Sequence, residues 1–163
     1  MDKFGISKLS GVHYQLSRLE GDWEGNTKTW FEPDQLVDDS PMRGSFKPVL
    51  DGRFMLYEYQ GSLGDKDFDG IAIIGFSINT DRFQMAWVDS FHMSTDIMFS
   101  EGKKPDKLFS VLGNYGAGQL PEPWGWRSEI ELKDKDTMIV TAYNITPQGE
   151  ESKATETVYT RKK

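Results

Sequence analysis

From Gly21 to Arg161 apolar and polar residues alternate over short runs, and a turn signal interrupts them every 8–14 residues or so. The runs are Asp22–Glu32, Met42–Leu50, Arg53–Ser62, Phe68–Ile78, Arg82–Ser90, Thr95–Glu101, Lys107–Tyr115, Trp126–Leu132, Thr137–Ile145 and Ala154–Arg161. Between them stand Pro33-Asp34, Asp51-Gly52, Gly64-Asp65-Lys66, Asn79-Thr80-Asp81 and Gly102-Lys103-Lys104-Pro105-Asp106, residue types that turn a chain. Ten short strands with no helix between them predict an all-β antiparallel meander. A sheet of that length curls, and closing into a barrel removes its exposed edges. A two-layer sandwich is the competing arrangement. The first 20 residues follow another rule: Leu9, Val12, Leu16 and Leu19 fall at helical spacing, with Ser10 placed to cap, which predicts a short amphipathic helix lying on one end of the domain.

Composition narrows the possibilities. At 163 residues the chain reads as a single domain, residues 1–163, with a helical segment at 1–20 and the barrel at 21–161. It has no cysteine, which excludes disulfides, thiol catalysis and cysteine-ligated metal. A net charge of −7 disfavours nucleic acid and anionic membrane surfaces. The longest apolar stretch, Gly70–Ile78, is far short of a bilayer span, and Met1-Asp2-Lys3-Phe4-Gly5 does not open a secretory signal. The expectation is a cytoplasmic protein.

Gly21-Asp22-Trp23 opens the first strand after a helical turn, a Gly-x-Trp that resembles the lipocalin fingerprint. That resemblance implies that Trp23 plugs one barrel end and that Arg161 packs across its face, an attraction of guanidinium for indole that ties the first strand to the last. Gly21-Asp22-Trp23-Glu24-Gly25, Gly52-Arg53-Phe54 with Glu58-Tyr59, Gly75-Phe76, Trp87-Val88-Asp89-Ser90 and Ser100-Glu101-Gly102 together resemble the bacterial lipocalin-like barrels called domain of unknown function 1579, from about Leu19 to Arg161. The resemblance implies a lipocalin-like (calycin) barrel and no established activity. The chain is also distantly similar to nitrobindin-like haem barrels, but those use a histidine late in the chain. Nothing after His92 is histidine, so haem does not carry over and no cofactor is expected.

Other motifs are weaker. Asp65-Lys66-Asp67-Phe68-Asp69-Gly70 matches the first half of a calcium loop, but position 12 is Phe76 and a strand follows, so it reads as an acidic hairpin and no metal site is expected. Gly113-Asn114-Tyr115-Gly116-Ala117-Gly118 lacks the lysine and the helix of a phosphate loop. Asn144-Ile145-Thr146 is a glycosylation acceptor only in a secreted chain. The two histidines, His13 and His92, are too few for a three-histidine zinc site.

Strand alternation supplies the candidate site. With Trp23 inward, Gly25, Thr27, Thr29 and Phe31 point inward as well. Glu58 shares a face with Phe54 and Leu56, and Asp89 shares one with Phe83, Met85 and Trp87. A carboxylate on an apolar face needs a partner, and Arg53, Arg127, Tyr143 and His92 are the candidates. His92 falls in a turn at the barrel rim. Trp124 and Trp126 flank the long loop 116–125 as an aromatic lip or a plug. The leading expectation is a binding barrel for a small apolar or amphipathic molecule, held beside Tyr57, Trp87 and Tyr143 with its polar end on Glu58, Asp89, His92 or Arg127. Alternatives are an acid–base enzyme (isomerase, cyclase or hydrolase) at the same mouth, and a barrel acting through protein contacts as a homodimer.

Overall fold

The structure is a computed structural model that describes residues 1–103 and 106–163. Two short helices, α1 (Lys3–Ser10) and α2 (Val12–Ser17), precede ten strands: β1 (Gly21–Glu32), β2 (Gln35–Val49), β3 (Phe54–Leu63), β4 (Lys66–Ser77), β5 (Arg82–Asp89), β6 (Met98–Lys103), β7 (Phe109–Tyr115), β8 (Trp124–Asp134), β9 (Thr137–Ile145) and β10 (Glu151–Arg161). Each strand pairs with its sequence neighbours, and β1 pairs antiparallel with β10 to close the barrel. The ten-strand meander expected from the alternation is therefore the fold, and it is a barrel rather than a sandwich.

Several details differ from the sequence reading. The helical segment is two helices broken at Gly11, and Asp2, not Ser10, caps the first by accepting the Gly5 N–H at 2.8 Å. Leu16 and Leu19 are buried, whereas Leu9 lies out in solvent. Pro33-Asp34 makes a tight turn with Asp34 left-handed at φ 59°, so β2 begins at Gln35 instead of Met42. Phe31 is 60% exposed instead of inward, because it is the extra residue of a bulge: Trp30 pairs with Leu36 and Glu32 with Gln35, which leaves Phe31 unpaired. The turn expected at Gly102–Asp106 includes residues 104 and 105, which lie outside the described residues.

The two halves of the barrel are packed differently. Trp23, Phe46, Ile74, Phe83, Phe109, Met138 and Tyr159, all near the helical end, are among the most completely buried side chains. Arg161 lies 4.2 Å over the Trp23 ring. Its guanidinium also donates to three backbone carbonyls: Lys135 at 2.8 Å, Arg18 at 2.9 Å, and Glu20. The Trp23 indole N–H donates to the Leu19 carbonyl at 3.0 Å. Trp23 and Arg161 thus meet across the seam of β1 and β10, and this end is shut. Toward the other end, where the β5–β6 and β7–β8 loops lie, the interior is hollow.

Candidate ligand site at the mouth of the barrel

The site starts from one buried carboxylate. Asp89 ends β5 with its side chain fully enclosed. One oxygen, Oδ1, accepts the backbone N–H of Phe91 at 2.5 Å and of His92 at 2.6 Å, which folds the chain after the strand into a tight turn. The other, Oδ2, accepts the Tyr59 hydroxyl and the His92 ring at Nδ1, the latter at 2.8 Å. Burial alone would raise the Asp89 pKa. Hydrogen bonds and charge from His92, the Tyr59 hydroxyl and the His92 backbone N–H outweigh it and hold the carboxyl below its ordinary range. An ionised carboxylate only accepts, so Nδ1 carries a proton, and in the neutral ring Nε2 is the nitrogen with the lone pair. Among the described residues Nε2 has no hydrogen-bond partner.

Tyr59 links this dyad to the wall. The Trp87 indole N–H donates to its oxygen at 2.8 Å, and burial and the Asp89 charge keep the phenol protonated far past its usual range. Room for the Tyr59 ring comes from Gly70, directly across the ladder, where a Cβ would lie 1.9 Å from the ring. The glycine of the acidic hairpin thus has a packing reason that involves no metal. Trp87 stacks on Trp126 with ring centres 5.6 Å apart, and the His92 ring lies 5.4 Å from Trp87 and 5.7 Å from Trp126.

Two cavities meet at these rings. An inner chamber of about 90 Å³ runs toward the closed end, and an outer vestibule of about 280 Å³ opens at the mouth. Thr29, Trp87, Phe91, His92, Trp126 and Thr155 line both. The chamber has an aromatic side and a hydroxyl side. Thr27, Thr29, Thr155 and Thr157, on the paired strands β1 and β10, form the hydroxyl side, and Thr27 and Thr157 hydrogen-bond at 2.6 Å. Tyr57 also lines the chamber, where its hydroxyl bonds that of Tyr159 at 2.7 Å.

Trp87, Asp89, His92 and Trp126 are thus gathered at the mouth, while Tyr57 lines the inner chamber toward the closed end, stacked on Phe46. Five other candidates are not. Glu58 is exposed on the outer wall, since Met55, Tyr57 and Tyr59 are the inward residues of β3. Arg127 and Tyr143 pair with each other outside, with the guanidinium 4.4 Å over the phenol ring, and Arg127 also binds Glu129 at 2.9 Å and Glu151. Arg53 lies over the Phe4 ring at the helical end. Trp124 is half-buried at the start of β8, opposite Tyr115, and lines neither cavity. Of the partners considered for a buried carboxylate, only His92 meets Asp89. The sequence reading missed Tyr59, Phe91 and the threonine side. Inward parity with Trp23 already marked Thr27 and Thr29, and the weak signal was to count hydroxyls on that face.

The family described as "Protein of unknown function (DUF1579)" matches residues 8–161. The chain belongs to this family. The DUF1579 chain is similar in structure to Rv2717c from M. tuberculosis, with 11% identity, a TM-score of 0.63, and coverage of 94% of this chain and 99% of that one. It is also similar to the S-type phycobiliprotein lyase CPES from Guillardia theta, with 10% identity, a TM-score of 0.58, and coverage of 100% and 99%. At such identities the common property is the lipocalin-like barrel. No curated protein matches the chain.

Proposed function

We propose that this DUF1579 barrel binds a small, flat, largely apolar molecule that enters through the vestibule, stacks against Trp87 and Trp126, and places a polar end on His92. The observation that carries the reading is His92 itself. Its ring is fixed by a buried carboxylate at the junction of the two cavities, and its Nε2 has no protein partner among the described residues. A vestibule of about 280 Å³ is near the lower bound of sites for drug-sized ligands, roughly 300 Å³. The threonine side of the chamber adds hydrogen-bonding capacity for a polar edge deeper in. The likeness to a phycobiliprotein lyase lends a shared architecture and leaves the ligand's identity to experiment. A bacterial, cytoplasmic setting remains part of the proposal; among the described residues no helix is long and apolar enough to cross a membrane.

Titration with 8-anilinonaphthalene-1-sulfonate, an aromatic anion, tests the reading. We expect saturable binding of one probe per chain with quenching of tryptophan emission, and up to about tenfold weaker binding in His92→Ala, the loss of one hydrogen bond from the probe's anilino N–H to Nε2. Binding that ignores His92→Ala and Trp126→Phe alike places the probe elsewhere and rejects the site.

A second reading concerns the outer wall. Leu56, Ile73, Ala86 and Phe99 form one cross-strand row, and Ile71 and Val88 pair in the next. Ile71, Ile73, Val88 and Phe99 are exposed. This contiguous apolar surface is what a homodimer of the chain would cover.

A further inference from the structure

We infer that the mouth is an acid–base site, in which His92 Nε2 removes a proton from the bound molecule and returns it to another atom of the same molecule. The inference deepens the binding reading and rests on it. A binding site needs only a donor or acceptor at this point. The structure supplies more: a carboxylate sealed from water, held by two backbone N–H groups and a tyrosine hydroxyl, with its remaining bond made to Nδ1 of the imidazole. That bond fixes the tautomer with the lone pair on Nε2, and it stabilises the imidazolium that forms when Nε2 takes a proton.

The surroundings narrow the chemistry. Around the His92 ring, β4 contributes Phe68, β5 contributes Trp87 and Asp89, the following turn contributes Phe91, and β8 contributes Trp126. Besides Asp89, the titratable groups nearby are Tyr59 on β3, which bonds Asp89, and Tyr115 on β7, which packs edge-on to Trp126 and whose hydroxyl bonds Asn144. Burial raises the pKa of both phenols. Among the described residues no lysine or arginine lines either cavity. With one base and no cation to hold an anionic intermediate or a phosphate, the arrangement fits a shuttle of a single proton. The C–H or O–H bond of the substrate breaks to Nε2, its electron pair shifts within the substrate, and imidazolium delivers the proton to the atom that gained electron density. No oxidant, reductant or second substrate enters. The substrate class is a compact apolar ring compound with an acidic C–H or O–H, isomerised or tautomerised within the barrel. His92 is the catalytic residue and Asp89 the positioning residue.

The test uses 5-nitrobenzisoxazole, a flat aromatic that opens when a base takes its C–H proton. The N–O bond breaks, a nitrile forms, and a coloured phenolate is released, with the proton leaving Nε2 to water. Binding is followed separately by quenching of tryptophan emission. We expect turnover about 10²-fold above free imidazole at equal concentration, abolished in His92→Gln while quenching persists with at most about tenfold weaker binding. Asp89→Asn should lower kcat at least about tenfold with little change in KM. Its amide donates to Nδ1 and moves the ring proton to Nε2, a tautomer exchange visible in the ¹⁵N spectrum of the imidazole. His92→Gln covers the case in which Asp89→Asn does not fold. Quenching without His92-dependent turnover overturns the acid–base inference and leaves the binding reading standing. No quenching removes both.

Discussion

The two ends of this barrel are each organised around tryptophan, and their hydrogen bonds are arranged in opposite ways. At the closed end the Trp23 N–H is taken by Leu19, and the Arg161 guanidinium over its face reaches three backbone carbonyls. At the mouth the Trp87 N–H is taken by Tyr59, yet His92 Nε2 has no partner among the described residues, and neither does the Trp126 N–H. One end is saturated and packed solid, and the other keeps unmatched polar atoms beside empty volume. Interiors close-pack by default, and such a hollow is what the proposed binding site requires.

The largest effect that would sharpen this contrast is on stability. Trp23→Ala should cost about 3–5 kcal/mol, as for large core aromatics, while Trp126→Ala, whose ring faces a cavity, should cost less than half as much. Urea unfolding at neutral pH measures both, and equal costs would erase the distinction between the ends.

The next effect is on the pH dependence. The Asp89 pKa is lower in the folded protein than in the unfolded chain, so the unfolded chain takes up the proton first as pH falls. The network's contribution is therefore full above about pH 4 and is lost as pH falls through the lowered folded value. Asp89→Asn should cost roughly 1–3 kcal/mol at neutral pH and should flatten the acid limb of the stability curve. A variant with the wild-type acid limb would mean that Asp89 does not hold the charge assigned to it.

The smallest effect lies between the two ends. Ser100 on β6 is buried, and among the described residues its hydroxyl has no hydrogen-bond partner. Ser100→Ala removes an unsatisfied group, and it should leave stability unchanged or raise it by up to about 1 kcal/mol. A loss of more than that would reveal a buried water on the hydroxyl.

The barrel was legible because strand alternation has period two and its turns carry strong chemistry, and Trp23 and Arg161 came with the resemblance. The mouth was legible only in part. Asp89 and His92 are three residues apart, so their meeting was within reach of local reasoning. Tyr59 is 30 residues from Asp89, and only the register of β3 on β4 and β4 on β5 brings it there. Glu58 was misplaced because β3 is apolar on both faces, with Phe54 and Leu56 outside and Met55, Tyr57 and Tyr59 inside, so alternation gave no sign of which face was inward. Phe31 failed for a different reason: it is the unpaired residue of a bulge, which broke the parity on which its placement depended.

The seam between β1 and β10 has a consequence in time. Trp23 stands opposite Arg161, so the contacts that shut the barrel join the first strand to the last. Every other strand pair in the ladder can form between sequence neighbours, but this one must wait for nearly the whole chain, against the entropy of closing so long a loop. During synthesis β1 therefore spends most of the process with an unpaired edge, exposed to wrong partners until the C-terminal strand emerges. The clasp that finishes the solid end is the last step of assembly, and refolding speed should depend on it far more than on anything at the mouth.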